Sequence, residues 1–260
     1  MSNTISACVT VFNESQNIRR CLDSVRWADE IVVIDSLSED DTVAICKEYT
    51  DKVYEHEWLG YIGQKNLIRD RASCKWILFI DADEEVSPDL RDEIRDEFES
   101  GRCRAVSGYE FPRMVWYLGK WIRYGDWYPD YKLRLFQKAD GHCGGIEPHD
   151  HVVITAGEVK KLIHPLYHYT YDNLFDHLGT INRFSKISAL ESHKAGRRCG
   201  PTDLLLRPVI RFLRAYFMKR GFMDGYHGLV IAMAISFSTF VKYAKLWEMQ
   251  LPDNRHRPDD

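Results

Sequence analysis

The stretch Trp76–Glu85, WILFIDADEE, decides how the chain is read. Trp76 to Ile80 are apolar, and a short apolar run bounded by polar residues reads as a buried strand covered on both faces. The acidic cluster Asp81, Ala82, Asp83, Glu84, Glu85 begins where that strand should end. Asp81 and Asp83, one residue apart, bring two carboxylates to one spot, a costly arrangement without a cation between them. Hard oxygen ligands suit Mg²⁺ or Mn²⁺, and such an ion can in turn hold a diphosphate. The same residues also read as an acidic loop leading into a helix, with Ser87 before Pro88 at its start.

Upstream, Ile5–Phe12 reads as a first strand, Asn13 as a cap and Glu14–Ala28 as a helix with Ile18, Cys21, Leu22 and Val25 on one face. Glu30–Asp35 is a second strand, Thr42–Tyr49 a short helix and Lys52–Glu57 a third strand. Gly60 and Gly63 mark a loop before a helix over Gln64–Ala72, and Pro88–Phe98 is a further helix. Strands alternating with helices predict a parallel, doubly wound α/β sheet, whose ligands sit at the carboxyl ends of the strands. Three stretches then deliver polar groups to one edge: Thr10, Asn13 and Glu14; Asp35 and Ser36; Asp81 and Asp83. No GxGxxG follows the first strand and no GxxxxGK[ST] occurs, which argues against a dinucleotide site and excludes a P-loop.

Beyond Ser100 the pattern changes. Tyr109–Phe136 is rich in aromatics, Trp127 among them, with strands expected over Ala105–Phe111 and Lys132–Gln137. Gly141–Gly145 reads as a loop, followed by strands over His151–Thr155 and Glu158–Ile163. The aromatics suit either stacking on sugar rings or an ordinary core. Helices are expected over Asp172–Lys194, Thr202–Lys219 and Tyr226–Met249, with a Gly-bearing linker at Ala195–Pro201 and a frayed polar tail from Pro252.

With 45% hydrophobic and 28% charged residues the chain is globular, and its net charge of −4 predicts no general affinity for nucleic acid. The basic excess lies late: Arg183–Arg220 holds ten Lys or Arg against Glu191 and Asp203. Seven dispersed cysteines form no CxxC pair, so neither a disulfide framework nor a zinc site is expected; Cys8 and Cys21 read as core thiols of a protein in a reducing cytoplasm. The opening residues are polar and no signal peptide is expected. The apolar stretch Gly228–Val241 has fourteen residues, fewer than the ~20 of a spanning helix, and reads as a core or interfacial helix.

VTVFNE (Val9–Glu14), VVIDSLSEDDT (Val32–Thr42), GQKN (Gly63–Asn66) and LFIDADE (Leu78–Glu84) stand in an order and spacing that resemble the family 2 glycosyltransferases, enzymes of the GT-A fold. HYTYDNL (His168–Leu174), Phe212–Gly228 and YAKLWE (Tyr243–Glu248) are similar to a bacterial subgroup that includes lipopolysaccharide inner-core β-1,4-glucosyltransferases. The resemblance implies a GT-A catalytic domain over 1–170, with a nucleotide-binding half at 1–100 and an acceptor half at 101–170, and a C-terminal helical, membrane-proximal region over 171–260. It implies that Thr10, Asn13, Glu14, Asp35, Ser36, Lys65, Asn66, Asp81, Ala82 and Asp83 line a UDP-sugar pocket. Asp83 then holds Mn²⁺ or Mg²⁺ with Asp81, and His168 is either a further metal ligand or a structural strand histidine. The base is an acid late in the catalytic domain. The subgroup shows His-Glu where this chain has His149-Asp150, so Asp150 is the candidate and Asp126, Asp130 and Glu147 its competitors.

The implied reaction is a single inverting displacement with a core-oligosaccharide or lipid-linked acceptor, which Trp127 would help to bind. A sugar nucleotidyltransferase would show a glycine-rich basic loop where Phe12-Asn13-Glu14 stands, and a non-catalytic glycan- or lipid-binding protein would tolerate loss of the DxD, which is intact. Arg207, Arg211 and Arg214 fall at i, i+4 and i+7 on one helix face, which reads either as a solvated face over an ordinary core helix or, with the implied lipid-anchored acceptor, as that of a peripheral protein on an anionic inner-membrane surface.

Overall fold

The computed structural model describes residues 3–147, 149–171 and 173–251, with only the backbone of His149. The expected polar tail, Pro148 and Asp172 lie outside them. The expected alternation appears as β1 (Ile5–Val11), α1 (Ile18–Ser24), β2 (Glu30–Asp35), α2 (Thr42–Lys47), β3 (Val53–Glu55), α3 (Gly60–Arg71) and β4 (Trp76–Asp81). There follow β5 (Glu84–Val86), α4 (Pro88–Glu99), β6 (Gly108–Tyr117), β7 (Lys120–Trp121), β8 (Asp130–Gln137), β9 (Gly141–Ile146), β10 (His149–Ile154), β11 (Val159–Lys161) and β12 (Leu166–Tyr171). The helices α5 (Leu174–Lys194), α6 (Pro201–Leu213) and α7 (Tyr226–Glu248) close the chain.

The main sheet runs β3-β2-β1-β4-β8-β6-β12-β5, while β9 and β10 form a separate antiparallel pair. β3, β2, β1 and β4 are parallel; β8 runs antiparallel to β4. The chain winds outward from β1 to β3 and then returns to β1's other side as β4, so strand order switches between β1 and β4, where open α/β sheets bind ligands. Both strands are buried along almost their whole length, which is why neither alternates. Trp76, Leu78 and Ile80 pack on one side with Val9, Cys21 and Leu90, and Ile77 and Phe79 on the other with Cys8, Ile34 and Ile68.

Several elements depart from expectation for identifiable reasons. α1 starts at Ile18, because side chains of the next loop hold its expected first turn: Ser38 Oγ accepts from Asn13 N, Thr42 Oγ1 from Glu14 N, and Asp40 from Ser15 N. Asn13 is therefore no cap; it sits at φ 53°, a region asparagine tolerates, and its side chain accepts from Glu39 N. α3 begins at Gly60, so the two glycines lie inside a helix. Gly60 sits at φ 81°, a left-handed conformation that favours glycine. Gly141–Gly145 is strand, not loop; a Cβ on Gly141 would meet the Phe136 ring at 2.4 Å. The acidic loop contains β5, whose Glu84 and Val86 are buried opposite β12. Ser87 caps α4 as expected, its Oγ accepting from Leu90 N at 3.1 Å.

The described residues group into two compact units. One comprises residues 1–114 and 130–169, the other 115–129 and 170–260. In the second, α7 packs between α5 and α6, and the helix expected to run to Lys219 ends at Leu213 and continues as a π-helical turn, Arg214–Met218, closed by Lys219 N donating to Arg214 O at 2.8 Å. The seven cysteines are free thiols, with Cys8 and Cys21 in the core.

Candidate active site

Register alone brings the polar residues of the first unit together. Thr10 on β1 is flanked by Ile34 on β2 and Asp81 on β4, and Val11 stands beside Asp35. Asp35 is fully buried and accepts from Ser38 N at 2.7 Å and Ser38 Oγ at 2.5 Å, holding the loop after β2 in a turn. Ser36 N donates to Val11 O and Ser36 Oγ accepts from Gln64 Nε2 at 2.9 Å, which ties β1, β2 and α3 at the same edge. Burial pushes the Glu14 carboxyl above its ordinary range, and the negative charges of Asp83 and Asp40 add to the effect.

Lys65 is the hub. Its Nζ donates to Asp150 Oδ2 at 2.9 Å and lies 3.2 Å from Asp81 Oδ1, with the side chain almost fully buried. Burial alone would lower its pKa, but Asp81 and Asp150 outweigh that and raise it. Asp81 also takes Arg134 Nη2 at 2.5 Å, and the same nitrogen donates to Glu84 Oε1 at 3.0 Å. Glu84 in turn accepts from Asp81 N at 3.1 Å, and Arg113 Nη1 lies 3.6 Å away. Burial would push Asp81 up; Arg134 and Lys65 instead hold it far below the usual carboxylate range. Arg134 is the functional residue the sequence reading missed. Its one signal was a charge inside the otherwise apolar run Leu133–Phe136.

The two aspartates have therefore separated roles. Both Asp81 oxygens are engaged by cations. Asp83 faces His168, with Nε2 at 3.1 Å from Oδ2, and its carbonyl accepts from Tyr169 N at 2.9 Å across the β5–β12 edge. An imidazole nitrogen and a carboxylate oxygen at that distance are a donor pair that fits Mn²⁺ or Mg²⁺. Among the described residues no group of three or more His, Cys, Asp or Glu is placed to hold an ion. Two protein donors suit a metal whose other ligands are diphosphate oxygens and water.

The remaining expected residues stand as follows. Asn66 is engaged at both ends of its amide, donating to Cys143 O and accepting from Cys143 N at 2.9 Å each, so it pins α3 to β9. Ala82 packs into the core beside Ile80 and Val86. Among the candidate bases, Asp150 is tied to Lys65, whereas Glu147 accepts from Ile62 N at 3.0 Å and Asp130 lies against Arg113 at 2.9 Å and Lys132 at 3.1 Å. Asp126 belongs to the second unit, beside Arg211 at 3.4 Å and Arg214 at 3.6 Å. Arg207 is paired with Asp203. Trp127, also in the second unit, lies in an aromatic cluster with Tyr117 at 5.1 Å, His177 at 5.5 Å and Tyr171 at 6.2 Å between ring centroids.

Comparison with known proteins bears on family and fold. The family model for glycosyl transferase family 2 matches residues 6–149. An uncharacterized glycosyltransferase of Rickettsia felis is 33% identical over 266 residues, covering 95% of this chain and 90% of its own. The lipopolysaccharide core biosynthesis glycosyltransferase LpsC of Rhizobium meliloti is 27% identical, over 98% of this chain and 96% of its own. The mannosyltransferase PcManGT of Pyrobaculum calidifontis, solved with GDP-Man and Mn²⁺, superposes with a TM-score of 0.58 over 96% of this chain and 89% of that one. At 13% identity that likeness speaks to fold, and the fold is GT-A-like. With the family model spanning the β1–β10 region and a relative matching nearly end to end, the chain belongs to glycosyltransferase family 2.

Proposed function

We propose that this glycosyltransferase moves a hexose, glucose by its subgroup resemblance, from a UDP-sugar to a lipopolysaccharide-core or related lipid-linked acceptor, with inversion at the anomeric carbon. The observation that carries the reading is Lys65, which joins the Asp-x-Asp cluster to an acid from a distant strand: 3.2 Å to Asp81 and 2.9 Å to Asp150. A single displacement between two bound substrates requires a donor-side group and a proton acceptor held close together, and Lys65 holds these two.

Thr10, Asn13, Glu14, Asp35 and Ser36, at the ends of β1 and β2, line the nucleotide pocket. Asp83 and His168 would hold Mn²⁺ or Mg²⁺, which when bound neutralises charge on the departing diphosphate. Asp81, locked by Lys65 and Arg134, orients the pocket rather than chelating. Asp150 takes the proton of the attacking hydroxyl. Lys65 and the Cys143 thiol both donate to Oδ2, and among the described residues Oδ1 has no hydrogen-bond partner, so Oδ1 is the oxygen that receives it. The acceptor is amphiphilic, in line with the lipopolysaccharide core biosynthesis named for LpsC, and the transferase acts as a peripheral protein at the cytoplasmic face of a bacterial inner membrane.

The test is a donor screen measuring UDP or GDP release with and without a core-oligosaccharide acceptor, run on wild type and Asp150→Asn. Acceptor-dependent UDP release is expected in wild type. In the variant kcat should fall at least ~10²-fold with donor affinity retained. Near wild-type kcat in Asp150→Asn would move the base to Glu147, Asp130 or Asp126, and release of GDP alone would overturn the donor assignment.

A further inference from the structure

The surface of the second unit is unusual in where its apolar residues lie. On α7 the exposed residues are Tyr226, Leu229, Met233, Phe237, Phe240, Trp247 and, at the last position, Glu248. Leu229, Met233, Phe237 and Phe240 recur at i, i+4, i+8 and i+11, a single stripe. The opposite side of the helix is spent on packing: Ile231, Ala232, Ala234, Tyr243 and Leu246 are buried, and Lys245 Nζ donates to Asn182 O at 2.7 Å and Ser185 Oγ at 2.8 Å on α5. On α6 the exposed apolar residues are Leu205, Leu206, Val209, Ile210 and Leu213, again one face. Between the two helices Phe217, Met218, Phe222 and Met223 are exposed, Met218 at 79%. A solvated helix shows the reverse pattern, and a monomer rarely leaves so many adjacent apolar side chains open.

Arg207, Arg211 and Arg214 do not belong to this face. They form a neighbouring stripe, Arg214 about 40° of helix rotation from Ile210. They reach Asp203 and Asp126 instead. The basic stripe legible in the sequence thus flanks the open apolar face of α6, with its arginines turned to acidic partners.

We infer that the apolar side of α6, the π-helical turn and α7 inserts into one leaflet of an anionic phospholipid bilayer, lying in its plane, and that this side rather than the arginine stripe makes the membrane contact. The inference rests on the peripheral reading above and names its surface. Three observations favour lipid over a second copy or another protein. The exposed α7 stripe offers no amide or carboxylate before Glu248, whereas protein interfaces carry about one hydrogen bond per 100–200 Å². Residues 204–247 hold seven Lys or Arg against one acid, Asp224, which is buried and accepts from Arg123 N and Tyr124 N, so the field suits an anionic surface and opposes a like-charged copy. Lys219 and Arg220 are exposed beside Met218 and Phe222, where a cation meets headgroups while its apolar neighbours enter the acyl region. α7, with 23 residues, is also the one helix among the described residues long and apolar enough to cross a membrane. Its packed side and its bonds from Lys245 to α5 are what keep it in the plane.

The experiment is sedimentation of the full chain with vesicles of phosphatidylethanolamine and phosphatidylglycerol, beside vesicles of phosphatidylcholine alone. Wild type is expected to bind the anionic vesicles, to remain largely bound in molar salt, and to be released by carbonate. Met233→Glu with Phe237→Glu, both at exposed positions, should weaken binding at least ~tenfold while circular dichroism and UDP binding are unchanged. Arg207→Gln with Arg211→Gln and Arg214→Gln should change it less than about twofold. If wild type binds and the double Glu variant binds equally, the surface is wrong while the peripheral reading stands. If wild type ignores anionic vesicles, both fall. Retention after carbonate means a spanning helix. A wild-type dimer that the Glu variant turns into monomer, with no vesicle binding, means a second copy covers the face. Either of the last two outcomes overturns the inference.

Discussion

Arg134 shows how one side chain sets the character of the site. It is almost fully buried, and its Nη2 serves Asp81 and Glu84, 53 and 50 residues away in the chain. Removing one member of a buried charge cluster leaves the others unpaired, which costs about 3–5 kcal/mol. Arg134→Leu should therefore lower the unfolding free energy by that amount in urea titrations, and wild-type stability in that variant would show that the cluster carries no such charge balance. Asp83 predicts the opposite kind of effect. It is about one-third exposed and faces His168, so Asp83→Asn should leave the unfolding free energy within about 0.5 kcal/mol of wild type and abolish Mn²⁺-dependent turnover. Activity that persists in the variant, or in excess EDTA, would remove the metal role. Asp81 and Asp83 were legible because both sit at the end of one apolar run. Their different partners were not, because Arg134 and Lys65 come from other elements.

At the scale of elements, β2 is anchored at its opposite end by Glu30. Burial would raise that carboxyl, but Lys52, Ser6 and Ser73 all donate to it and bring it down to about 2, from an ordinary 4.5. A carboxyl depressed by folding contributes stability that is complete above pH 4.5 and is lost as pH falls toward 2. Glu30→Gln should cost about 2 kcal/mol at neutral pH and flatten the acid side of the stability profile, measured as urea midpoints across that range. A profile parallel to wild type would exclude Glu30 as the titrating group. The same element scale explains where helix and strand boundaries moved. The first turn of the expected helix after β1 is captured by Thr42, Ser38 and Asp40, long-range contacts that override a local propensity, and Gly141 of β9 is dictated by the Phe136 ring.

For the whole molecule, the first unit joins residues 1–114 to 130–169, while Val115–Pro129 sits with the C-terminal helices. The aromatic run beyond Tyr109 is thereby divided: Tyr109 and Phe111 pack under the parallel sheet, whereas Tyr117 and Trp127 pack with Tyr171 and His177. Sequence by itself determined the alternating architecture and the strand ends that carry Thr10, Asp35 and Asp81, because apolar runs and the polar residues that end them are neighbours along the chain. It also determined the family, because four short stretches keep their order and spacing. Only the tertiary structure decided that Asp81 is bound to cations, that Asp150 shares Lys65 with it, and that the arginines of α6 pair with Asp203 and Asp126 while its apolar face stays open. Those facts depend on which distant groups meet in a low-dielectric interior and on which side of a helix is already covered, and neither is written in local pattern.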